Sequence, residues 1–156
     1  MIYFLGLGSN IGDLEENMCV AIDKISQVHG CKVLQKSNVY MTKAWGFEEQ
    51  DDFLNMVLEI ETDISPQMFI KYLKDIEVQM GRVKTQKWGP RVMDIDILYC
   101  DDMVMETDEL VIPHPYLHKR EFVLKPLVEI AKDFVHPVLH RTNGKLFDLL
   151  EGQCQA

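Results

Sequence analysis

Two apolar stripes with helical spacing are threaded between runs of strand character, and that order leaves few folds open. Residues 2–7 form an apolar run that ends in Gly6 and Gly8, which suits a buried strand. Asp13, with Glu16 three residues on, marks a helix start. Leu14, Met18, Ala21, Ile22, Ile25 and Val28 then hold helical spacing up to Gly30. Residues 31–41 predict a second strand. Residues 55–61 alternate, with Met56, Leu58 and Ile60 on one face and Val57, Glu59 and Glu61 on the other. Ser65-Pro66 opens a second helix whose stripe is Phe69, Ile70, Leu73, Ile76 and Met80, and Gly81 closes it. Residues 94–100 predict another strand. The order β-α-β-β-α-β predicts an α+β, ferredoxin-like core: a mainly antiparallel sheet with both helices packed on one face. Beyond it, Asp101-Asp102 predicts a hairpin turn, 110–112 a short strand and 121–131 a helix, while the C-terminal end carries weak patterning.

Composition narrows the setting. The chain has 156 residues, with 16 basic against 25 acidic, a net charge of −9. Clustered Lys and Arg are what a nucleic-acid backbone requires, so no nucleic-acid partner is expected. No apolar stretch reaches the length of a membrane span, and the first residues have no basic region typical of a secretion signal. Cys19, Cys31, Cys100 and Cys154 form no C-x-x-C pair, which predicts unpaired, mostly buried thiols in a reducing compartment. The expectation is one soluble cytoplasmic domain over 1–156, a monomer with no obligatory protein partner.

Asp94-Ile95-Asp96-Ile97 holds the strongest chemical signal. On a strand, residues two apart share a face, so both carboxylates project to one side and both isoleucines enter the core on the other. Two like charges so placed repel unless a cation lies beside them, and Mg²⁺ takes one or two carboxylates plus phosphates and water. The plain alternative is a solvated edge strand. Residues 82–91, just upstream, carry Arg82, Lys84, Lys87 and Arg91 and no acid. A positive segment beside a negative pair is what a metal–polyphosphate site needs. The two arginines can make bidentate contacts and the lysines act as point charges. Trp88 adds a stacking face.

Three further features stay open on residues alone. Gly6-Leu7-Gly8-Ser9-Asn10-Ile11-Gly12 has the wrong spacing for the standard phosphate loops, so it reads as a strand-to-helix turn or as a backbone wall against a flat ligand. Pro113 and Pro115 hold His114 near His118 and Arg120. The pairs His114/His118 and His136/His140 have helical metal spacing, but Pro115 and Pro137 interrupt both. Trp45, Phe53 and Phe122 are core aromatics or, together with Asn55, a sandwich for a planar heterocycle.

Taken together, the motifs resemble the 6-hydroxymethyl-7,8-dihydropterin pyrophosphokinase family. The most specific match is Trp88-Gly89-Pro90-Arg91-x-x-Asp94-Ile95-Asp96-Ile97-Leu98. Around it fall Gly8-Ser9-Asn10-x-Gly12, Tyr40-x-Thr42, Phe53-Leu54-Asn55, Glu77-x-x-x-Gly81-Arg82, Pro113-His114-Pro115 and Arg120-x-Phe122, covering residues 2 to about 130. The resemblance implies transfer of pyrophosphate from ATP to the hydroxymethyl group of a reduced pterin, with AMP released and two Mg²⁺ ions required. It implies Asp94 and Asp96 as metal ligands, and Arg82, Arg91 and Asp96 as catalytic. ATP would meet Glu77, Lys84, Trp88, Arg91, Ile97, His114 and Arg120. The pterin would lie between Phe53 and Phe122, with Thr42, Asn55 and the backbone around Trp45 at its edge. Ala44 stands where the family usually has proline and Lys84 where it often has arginine, which bears on loop stiffness and on the bidentate fork. Two other readings of the same residues are a metal-dependent phosphohydrolase and a non-catalytic ATP-sensing module.

Overall fold

The structure is a computed structural model and describes residues 1–42, 52–81 and 92–155. Strands β1 (Ile2–Ser9), β2 (Lys32–Lys36), β3 (Tyr40–Thr42), β4 (Phe53–Glu61) and β5 (Asp94–Cys100) form one sheet in the order β2-β4-β1-β5, with β3 paired to β4. Every pairing is antiparallel. Helices α1 (Leu14–Ser26) and α2 (Pro66–Gln79) supply the two crossovers, with three strands between them where the sequence pattern predicts two.

Local signals account for the helix starts. The Asp13 carboxylate accepts the Glu16 N–H at 3.1 Å, satisfying an end that has no intrahelical partner. Ser65 holds the N-cap position of α2 with Pro66 behind it, but its contribution is a backbone carbonyl that accepts from Phe69 N–H at 2.8 Å. Gly30 and Gly81 adopt positive φ of 81° and 96° just beyond the two helices, where a Cβ would strain the turn.

The core on the helix face unites Met18, Ala21 and Ile25 of α1, Phe69, Leu73 and Ile76 of α2, and the inward strand residues Leu5, Leu7, Met56, Leu58, Ile60, Ile95 and Ile97. The alternation expected in β4 is present: Val57 belongs instead to a second core on the opposite face. There α3 (Glu121–Ala131) and α4 (Asn143–Gln155) pack on Phe4, Val57, Leu98 and Tyr99. The sheet therefore carries helices on both faces, where periodicity predicts one helical layer. Tyr99 donates its hydroxyl to Asn143 at 2.7 Å, fixing α4 to β5 through a buried polar pair.

Three expectations change in detail. Residues 31–41 are two strands, β2 and β3, separated by residues 37–39. The Asp101–Asp102 turn closes β5, whereas the small hairpin β6 (Met105–Glu106) with β7 (Val111–Ile112) turns at 107–110. Of the three described thiols only Cys100 is buried, with Cys31 half-buried and Cys19 exposed, while the Cys154 side chain lies outside the described residues. Cys19 falls on the outer side of α1, since Met18, Ala21 and Ile25 take the inner side. Among the described residues no helix is long and apolar enough to cross a membrane.

Candidate active site

Asp94 and Asp96 alternate with the buried Ile95 and Ile97, so their half-exposed carboxylates lie on the face opposite the α1–α2 core. The neighbouring strand makes that arrangement useful. In β1, Gly6 stands directly across from Asp96 and Gly8 across from Asp94. On the other side of β1, Gly8 faces Asn55 of β4 and Gly6 faces Val57. The middle strand thus lies between the acids of β5 and the Phe53/Asn55 end of β4, with the Leu98 side chain 3.4 Å from where a Gly6 Cβ would stand. A Cβ on Gly8 would lie 3.0 Å from Asn55 Oδ1 and 3.5 Å from Phe53 Cδ1. Both glycines belong to the strand itself rather than to the turn that follows it. Only Gly12, with φ 86°, serves the turn into α1.

Asn55 is buried at 5% exposure and donates from Nδ2 to Thr42 Oγ1 at 2.6 Å. Thr42 and Phe53 are direct partners across β3 and β4. The structure therefore gathers Thr42, Phe53 and Asn55 at one end of the sheet.

His114 and Arg120 converge on the acids. The His114 N–H is bonded to the Leu98 carbonyl at 3.0 Å, docking the proline-flanked turn on β5. Its ring Nδ1 accepts from Tyr116 N–H at 3.2 Å, which places the proton on Nε2, the atom 3.8 Å from Asp96 Oδ2. Burial, reinforced by the Arg120 charge and opposed by Asp94, lowers the His114 pKa to about 4, so the ring is neutral at pH 7. Arg120, 6% exposed, places Nη1 3.9 Å from Asp96 Oδ2, with its guanidinium over the rings of Tyr116 and Phe122. Burial lowers its pKa, while Asp96 and Asp94 pull the other way.

Two assigned residues sit differently from a simple lining. Glu77 is 2% exposed, and its Oε2 accepts the Ile95 N–H at 2.7 Å. The Ile97 side chain belongs to the core under α1 and α2, so what β5 offers a ligand there is backbone. Phe122 is partly buried against the second core beneath Arg120. Trp45, Arg82, Lys84, Trp88 and Arg91 lie outside the described residues, as does Ala44.

Tyr116 was missing from the sequence-derived set. Tyr116 sits beside Pro115 and supports both His114 and Arg120.

Among the described residues no three His, Cys, Asp or Glu side chains are grouped to hold a metal ion. The donor chemistry still fits Mg²⁺. Two hard carboxylates on one strand face are the protein's usual share where phosphates and water complete the octahedron.

The model of one family, described as 7,8-dihydro-6-hydroxymethylpterin-pyrophosphokinase, matches residues 4–132. The chain belongs to that family. It is an enzyme of the diphosphotransferase class. It is similar to the 2-amino-4-hydroxy-6-hydroxymethyldihydropteridine pyrophosphokinase of Aquifex aeolicus, 44% identical over 138 residues that cover 88% of this chain and 85% of the relative. It is also similar to the folic acid synthesis protein FOL1 of Dictyostelium discoideum, 40% identical over 93% of this chain but 22% of that larger protein. The fold matches a crystal structure of an HPPK-DHPS protein in complex with substrates at a TM-score of 0.77 and 14% identity, covering 99% of this chain and 44% of that one.

Proposed function

We propose that this pyrophosphokinase transfers the β,γ-diphosphate of ATP to the hydroxymethyl oxygen of 6-hydroxymethyl-7,8-dihydropterin, a step in folate synthesis. The observation that carries the reading is the shared face of Asp94 and Asp96, joined by the glycine strand to Phe53, Asn55 and Thr42. In this reading the two acids serve the anion and metal, and Phe53, Asn55 and Thr42 serve the heterocycle, on neighbouring strands of one sheet.

The pterin hydroxyl attacks the β-phosphorus in line. An O–P bond forms from the hydroxyl oxygen, the bond from β-phosphorus to the α-bridging oxygen breaks, AMP leaves with that electron pair, and the hydroxyl proton passes to solvent. Asp94 and Asp96 would hold two Mg²⁺ ions, which when bound neutralise phosphate oxygens and acidify the hydroxyl. Arg120 brings a fixed positive charge to the same point, and neutral His114 offers an N–H donor rather than a charge. Arg82, Arg91, Lys84 and Trp88 complete the nucleotide side, with Glu77 and the Ile97 backbone beneath it. Thr42 and Asn55 read the pterin edge, Trp45 adds to the pterin side, and Phe53 and Phe122 stack on its faces. Positioning and charge neutralisation supply the rate, without a covalent intermediate. The single domain over 1–156 acts as a cytoplasmic monomer in this reading.

Incubation with ATP, Mg²⁺ and the reduced pterin, followed by nucleotide chromatography, tests it. AMP formed only when pterin is present is the expected result. ADP or phosphate released without pterin would identify a phosphohydrolase. ATP bound but never consumed would identify a sensing module.

A further inference from the structure

Thr42 meets Asn55 only because β3 runs one residue out of step with β2. Lys36 faces Leu58 and Tyr40 faces Asn55, so this strand advances four residues while β4 advances three. A one-residue slip exchanges the faces of every side chain beyond it. In the register observed, Tyr40 and Thr42 share the face of Asn55 and Phe53, while Met41 is 59% exposed. Without the extra residue, Met41 would take the face now held by Thr42.

The extra residue falls at 37–39, and it is gripped from a distant helix. Glu129, in the last turn of α3, accepts the Asn38 N–H with both carboxylate oxygens at 3.0 Å and the Tyr40 hydroxyl at 2.5 Å. Lys125, one turn earlier, places its ammonium 5.4 Å from the centre of the Tyr40 ring. Beside them, Gln35 donates to the Ile130 carbonyl at 3.1 Å. An acid near a helix C-terminus opposes the helix dipole, so helix stability does not account for Glu129 at that place. Its hydrogen bonds do. The same helix carries Arg120 at its N-cap and Phe122 in its first turn.

We infer that Glu129 is a positioning residue for the pterin end of the site: it fixes the β3–β4 register and so sets Thr42 on Asn55. The pterin part of this inference rests on the function proposed above; the register part does not.

The test combines cross-strand nuclear Overhauser effects between Tyr40 and Asn55 with steady-state kinetics on Glu129→Ala, Glu129→Gln and Asn55→Ala. In Glu129→Ala the Tyr40–Asn55 contacts should vanish. The pterin KM should rise about ten-fold, the size expected when a charge-assisted hydrogen bond is lost, with the ATP KM unchanged. Glu129→Gln keeps an acceptor oxygen and should restore both. Retained Tyr40–Asn55 contacts in a folded Glu129→Ala protein would overturn the inference whatever the kinetics. Lost contacts with an unchanged pterin KM would overturn the positioning role if Asn55→Ala raises that KM. If Asn55→Ala also left that KM unchanged, it is the pterin reading that would fail.

Discussion

The carboxylate of Glu77 accepts the backbone N–H of Ile95 at 2.7 Å, so a buried acid under the sheet holds the residue that separates the two half-exposed acids above it. β5 lies at the edge of the sheet, and Glu77 gives it an acceptor from outside the sheet. Asp94 and Asp96 flank the bonded residue.

Glu77→Leu removes the acceptor and leaves a buried N–H unsatisfied, which costs about 1–3 kcal/mol. Glu77→Gln keeps an acceptor oxygen and should lose less. Urea denaturation of the two variants checks the order. Equal stabilities would show that the Ile95 contact contributes nothing to the fold.

Gly8 tests the backbone wall. Gly8→Ala places a methyl 3.0 Å from Asn55 Oδ1, closer than ordinary van der Waals contact, so the Asn55 amide must give way. Pterin affinity should fall about ten-fold, the loss expected from one displaced hydrogen bond, while the melting temperature moves little. Fluorescence titration with the oxidised pterin measures it. Unchanged affinity would place the heterocycle elsewhere.

Acid should weaken the fold through His136 and His114. His136 is 5% exposed, and its Nδ1 accepts from the N–H groups of Val138 and Leu139. Burial first, then His118 and His140, lowers its pKa to about 4, and His114 is lowered to the same region. The unfolded chain takes up these protons near pH 6.5 while the folded chain does not. Stability is therefore full above pH 6.5 and declines as pH falls toward about 4. His136→Asn, which offers the same two N–H groups an uncharged oxygen, should flatten part of that decline in a pH series of thermal melts. An identical slope in the variant would remove His136 from the account.

Much of this architecture is written in local patterns. The period of two in 94–97 and 55–61 places the aspartates and the core isoleucines on opposite faces, and Asp13 announces its helix, because each depends on neighbours a few residues away. The split between β2 and β3 could not be read so, since its cause, Glu129, lies 91 residues from Asn38. The second helical layer escaped for a related reason: α4 contains Gly144 and Gly152 and buries few side chains, so its apolar stripe is faint. Glu77 did leave a trace. It falls on the stripe of Leu73, Ile76 and Met80, where an acid is out of place unless it has a buried donor to satisfy. Of the site, the acids, His114, Arg120, Thr42 and Asn55 were legible through motif spacing. The residues around Gly6 and Gly8 left a turn and a backbone wall both open, because choosing between them depends on which strands lie on either side of β1.

Asp94 and Asp96 together would anchor the divalent ions that join the nucleotide to its acceptor. Crystals grown with Mn²⁺, a non-transferable ATP analogue and the pterin measure this directly through anomalous scattering. The account predicts peaks about 2.1 Å from oxygens of both carboxylates, with the phosphate oxygens completing the shell, and no such peaks in Asp96→Ala. Metal peaks bound to phosphate alone, with both aspartates turned away, would contradict it.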